Sequence, residues 1–70
     1  SLNVGFSEEL LSQKIKGRRR TFYVDLKKSS NGNFIKVTEL SRGGQKSIVM
    51  FDAEDIDEFL AALVKIRGLL

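Results

Sequence analysis

The sequence predicts a small α+β domain in which strands come first and one helix comes last. Three observations carry this expectation. Apolar and polar residues alternate along 21–27 and again along 33–40, the period-2 pattern of half-buried strands. Between the two runs stands Asn31-Gly32, the strongest short-range signal for a hairpin. From residue 53 to 67 the apolar positions switch to helical spacing.

Taken in order, the N-terminal segment is the ambiguous one. Ser7-Glu8-Glu9-Leu10-Leu11-Ser12-Gln13-Lys14-Ile15 places helix formers behind a capping serine. The alternation of Leu11, Gln13 and Ile15 suits a strand equally well, one that pairs with 21–28 through a turn containing Gly17. The residues alone leave both open. In 21–27, Phe22, Val24 and Leu26 share one face and Tyr23, Asp25 and Lys27 the other. Ser41-Arg42-Gly43-Gly44-Gln45 reads as a turn and Ser47–Phe51 as a further β-rich run. Asp52 is placed to cap the helix, Glu54 and Asp55 complement the positive end of its dipole, and Gly68 is placed to stop it. Ile56, Phe59, Leu60, Leu63, Val64 and Ile66 cover roughly 160° of the helix, wider than one sheet requires. The surplus predicts packing against two surfaces.

Seventy residues make one domain with a marginal core, and domains this small often rely on a disulfide, a metal or a partner subunit. No cysteine and no histidine is present, which excludes disulfides, thiol catalysis and the commonest zinc ligands and general base. Self-association is the expected supplement. No apolar run reaches the ~18 residues of a membrane span and no signal peptide is visible, so the expectation is a soluble, cytoplasmic protein. Ser1-Leu2-Asn3, in place of an initiating Met, reads as a remnant or a trimmed start. The acids from Asp52 to Glu58 lie in the first turns of a helix, where capping and solvation account for them. Neither an enzyme nor a metal or cofactor site is expected.

The net charge is +3, but it is unevenly placed. Residues 12–36 hold eight basic side chains against Asp25 alone, whereas residues 37–70 hold four basic and six acidic ones. Such a field steers polyanions, and the bland alternative is a solvated basic loop. With Asn31-Gly32 as the two turn residues, Leu26 opposes Val37, Ser29 opposes Phe34 and Asp25 opposes Thr38. Lys27 then opposes Lys36, a repulsive pair that an intervening anion would relieve. Phe34 and Tyr23 share that outward face, so rings for bases stand beside cations for phosphates, the combination that single-stranded nucleic acid needs. The alternative is that Phe34 packs into a dimer core while Lys36 snorkels. Arg18-Arg19-Arg20 lies where the same strand begins and suits phosphates through its guanidinium forks. Arg42-Gly43-Gly44-Gln45-Lys46 lacks P-loop spacing and reads as a flexible hairpin loop.

Three ordered motifs resemble a repeat of the PUR family of purine-rich-element-binding proteins. They are Arg20-Thr21-Phe22-Tyr23-Val24-Asp25-Leu26-Lys27, Gly32-Asn33-Phe34-Ile35-Lys36-Val37-Thr38-Glu39 and Gly43-Gly44-Gln45-Lys46-Ser47, and Glu58-Phe59 matches the family's helical signature. The resemblance runs from about Phe6 to Leu69. It implies a β-β-β-β-α unit: a four-stranded antiparallel curved sheet followed by one C-terminal helix, with residues 8–16 a strand. It further implies that residues 1–70 are half of a domain completed by a second copy in an intertwined homodimer, as in short bacterial relatives. By the same resemblance Arg18, Arg19 and Arg20 of the first turn and Lys27, Ser29, Asn31, Phe34 and Lys36 of the sheet contact nucleic acid. The ring of Phe34 stacks on a base or wedges strands apart. Ser29 and Asn31 depart from the family's usual Asn and basic residue, which puts polar base contacts there in doubt. The expected function is binding of single-stranded DNA or RNA, favouring purine- or G-rich sequence, in the bacterial cytoplasm or nucleoid. The competing expectation is a protein-interaction or regulatory module whose basic face is incidental.

Overall fold

A computed structural model describes residues 7–70; Ser1-Leu2-Asn3 and Phe6, where the resemblance begins, lie outside the described residues. Four strands are followed by a helix: β1 (Ser7–Lys16), β2 (Arg20–Ser29), β3 (Gly32–Ser41), β4 (Lys46–Asp52), a 3-10 turn (Ala53–Asp55) and α1 (Ile56–Arg67). The strands form one antiparallel sheet in the order β1-β2-β3-β4. The N-terminal segment is thus an edge strand despite its helix formers, because pairing along β2 gives partners to the backbone groups on that side of it. A bulge between Glu9 and Leu11 leaves Leu10 without a partner and bends the sheet locally.

The β2–β3 register differs from the expected one. Ser29 pairs with Gly32, so Ser30 and Asn31 form the turn, and Leu26 meets Ile35 rather than Val37. Neither Ser30 nor Asn31 has positive φ, whereas Gly32 has φ +117°. Two residues of negative φ closed by a glycine make a type I turn with a G1-type residue, not the type I′ turn that Asn-Gly suggested. Ser29 holds it: its Oγ accepts from the Asn31 N–H at 3.2 Å and donates to the Gly32 carbonyl at 3.1 Å. The strand slides by two residues, which changes every partner yet keeps every side chain on its expected face.

The register separates two faces. On one, the rows Leu11–Leu26–Ile35–Phe51, Gln13–Val24–Val37–Val49 and Ile15–Phe22–Glu39–Ser47 form an apolar surface. On the other, Lys16–Thr21–Leu40–Lys46, Lys14–Tyr23–Thr38–Ile48 and Ser12–Asp25–Lys36–Met50 form a polar, basic one. We call these the apolar and the basic face. Among the described residues the buried hydrophobic ones are Phe34 on the basic face and Ile35 on the apolar face, and Asp25 and Thr38 are buried on the basic face with Phe34.

Asp52 precedes the helical region in extended conformation but makes no side-chain capping hydrogen bond. Gly68 stays right-handed, with φ −66°, so the helix ends without the left-handed glycine expected there. Phe59 stacks on Phe51, ring centroids 4.0 Å apart, yet no residue of α1 is buried. Leu60, Leu63, Val64 and Ile66 remain more than half exposed. Among the described residues the helix therefore lacks the two surfaces its wide apolar stripe calls for.

Candidate nucleic-acid interface

Period-2 alternation places Lys14 and Lys16 of β1, Lys27 of β2, Lys36 of β3 and Lys46 of β4 on the basic face. Three acids share that face: Glu9 opposite Lys27, Asp52 opposite Phe34, and Asp25 in the interior. The Asp25 carboxylate accepts a 2.6 Å hydrogen bond from Ser12 Oγ, and Lys36 stands opposite it across the β2–β3 ladder. The expected Lys27–Lys36 opposition is replaced by Asp25 facing Lys36 and Lys27 facing Phe34. Cation–anion and cation–ring neighbours take the place of a repulsive pair, as the two-residue slide requires.

Phe34 departs most from its expected role. Its ring is 0% exposed and cannot offer a free face to a base. It forms one wall of a cavity of about 160 Å³ whose other walls are Ser7, Lys27, Lys36, Ile48 and Met50. The ring is core, and Lys27 and Lys36, both half-buried, line the same cavity. Tyr23, two rows from Phe34 on the same face, is half-buried. The hydroxyl of Ser29 is occupied by the turn, and Asn31 is exposed at its tip.

The arginine turn sits at the opposite end of the sheet. Gly17 donates its N–H to the Arg20 carbonyl at 2.8 Å, and a Cβ at Gly17 would lie 2.9 Å from that same oxygen, so the turn needs glycine. Arg18 and Arg19 stand exposed at the tip. Arg20 belongs to the apolar face, where it forms an ion pair with Glu39. It still lines the cleft at this turn together with Arg18 and Arg19. Seven residues at ~3.3 Å each put Lys27 roughly 23 Å from Arg20 along β2. The eight expected contact residues thus fall into two groups at opposite ends of the sheet: Arg18, Arg19 and Arg20 at the β1–β2 turn, and Lys27, Ser29, Asn31, Phe34 and Lys36 toward the β2–β3 turn. Lys14 and Lys16 share the basic face but fall outside the three family-like motifs, and Lys46 lies in the third of them; strand alternation is the signal that finds all three.

Among the described residues no group of three or more acidic, His or Cys side chains is placed to hold a metal ion, and no helix is long and apolar enough to cross a membrane.

Comparison with known proteins agrees with this architecture. A family model described as PurA ssDNA and RNA-binding protein matches residues 7–68. Transcriptional regulator protein Pur-beta of Danio rerio is 34% identical over 53 residues, covering 76% of this chain and 18% of that protein. Pur-beta of Homo sapiens is 32% identical over 57 residues, 81% of this chain and 18% of its own length. Transcriptional activator protein Pur-alpha of Homo sapiens is 37% identical over 41 residues, 59% of this chain and 13% of its own length. The chain spans less than a fifth of each of these relatives. With the family match reaching from β1 to the residue after α1, the chain belongs to the PurA family of ssDNA- and RNA-binding proteins.

Proposed function

We propose that this chain binds single-stranded DNA or RNA across the basic face of its sheet, favours purine- or G-rich strands, and acts in transcription regulation as a homodimer. The observation that carries the reading is segregation: five strand lysines lie on one face, and the apolar rows lie on the other. Phosphates meet Lys27, Lys36, Arg18 and Arg19, and bases stack on the ring of Tyr23. Phe34 supports that surface from beneath. The name of the matched family and the regulator names of the relatives support the same partner class. The apolar face and α1 supply the second half of the argument. Leu11, Ile15, Val49 and the helix stripe are too exposed for a stable lone protomer, and a second copy offers the complementary sheet and helix under C2 symmetry.

Fluorescence titration with short G-rich and pyrimidine-rich single strands at about 0.1 M salt tests the reading. With ~4–5 phosphates neutralised, log K against log salt has an expected slope near −3. Equal, salt-independent binding of both strands, or none, defeats it. Light scattering on the free protein tests the dimer separately. A monomer that captures a different protein through the apolar face would favour an interaction module instead.

A further inference from the structure

We propose that the β1–β2 and β3–β4 turns together form a second phosphate-binding subsite, in which Lys16 and Arg42 grip the backbone of a strand running off the end of the basic face. The inference rests on the nucleic-acid reading and extends it to residues that neither the family-like site motifs nor the arginine turn includes. Arg20 pairs with Ser41, which brings the two turns side by side. Between them lies a cavity of about 410 Å³ lined by Lys16, Arg18, Arg19, Thr21 and Arg42, among others. Lys16 and Thr21 are paired basic-face residues, so the cavity is continuous with the face that carries Lys27 and Lys36.

Charge sets the ligand class. No Asp or Glu lines the cavity. Glu39, the nearby acid, lies on the apolar face and is engaged by Arg20. Lys16, Arg18, Arg19, Arg20 and Arg42 line the cleft and are all exposed; Arg20 is paired with Glu39, and the other four have no acid among the lining residues. A phosphodiester chain satisfies them, and arginine forks suit its oxygens. Arg42 is also placed rather than loose. The Ser41 N–H donates to the Gln45 carbonyl at 2.9 Å, the Gly44 N–H to the Ser41 carbonyl at 3.0 Å, and the Gln45 N–H to Ser41 Oγ at 3.1 Å. The expected flexible loop is therefore a closed one. Even at the ~3.4 Å rise of a stacked duplex strand, the ~23 Å between the cleft and Lys27 takes at most roughly seven nucleotides, so a twelve-nucleotide single strand reaches both regions.

The test is a titration of a G-rich twelve-nucleotide single strand against wild type, Arg42→Ala, Arg42→Lys, Lys28→Ala and the double variant Lys27→Ala/Lys36→Ala. Lys28 is exposed on the apolar face and serves as a charge-matched control. One lost phosphate contact reduces the salt slope by about 0.7, which is about fivefold in affinity at ~0.1 M salt. The expected result is that loss for Arg42→Ala, a slope near wild type for Arg42→Lys and for Lys28→Ala, and effects of Arg42 and of the lysine pair that add. If the lysine pair weakens binding while Arg42→Ala matches wild type, or if Lys28→Ala costs as much as Arg42→Ala, the second subsite is wrong and the basic-face reading stands. If wild type does not bind the strand, both fall.

Discussion

Phe34 is withdrawn from water entirely, and its substitution separates two roles cleanly. Phe34→Ala removes a buried ring and leaves a cavity, with an expected cost of about 3–5 kcal/mol in urea unfolding. An exposed stacking platform would instead lose affinity with stability unchanged. Ser12→Ala leaves the buried Asp25 carboxylate short of one hydrogen bond, and because Ser12 itself is exposed the expected cost is about 1 kcal/mol. The Arg20–Glu39 pair is solvent-exposed on the arginine side, so Glu39→Gln should change stability by less than about 1 kcal/mol. That variant frees Arg20 without bringing it to the basic face, and oligonucleotide affinity should move little.

Which residues share a face was legible in the sequence, because strand alternation is strict and survives a two-residue slide. Which residues oppose one another was not. Asn31-Gly32 fits either a two-residue I′ turn or the end of a type I turn, and the choice rests on the Ser29 hydroxyl and on where positive φ falls. Gly32→Ala tests this turn: at φ +117° an L side chain is strained, and an expected cost of about 1–3 kcal/mol should appear as a lowered unfolding midpoint. β1 was open between helix and strand on local propensity, since only its neighbour β2 decides it. The burial of Phe34 was not legible either. Alternation assigns a ring to a face but does not say what closes over it. The pairing of Arg20 with Glu39 across the ladder likewise needs the true register.

At the scale of the whole molecule, the chain carries two exposed apolar surfaces, the sheet rows and the stripe of α1. Leu63, on that stripe and 61% exposed, has no role in the protomer, so Leu63→Asp should leave an isolated chain unaffected. In the proposed homodimer it buries a charge, and light scattering should report a shift to monomer or loss of cooperative unfolding. With the apolar surfaces assigned to a second copy, the lysine-bearing face is the one left to solvent and ligand. The most direct check is the salt dependence of single-strand binding in wild type and in Lys27→Ala/Lys36→Ala. Two lost phosphate contacts should flatten the slope of log K against log salt by about 1.4. An unchanged slope would place the polyanion elsewhere on the molecule and contradict the assignment of the basic face.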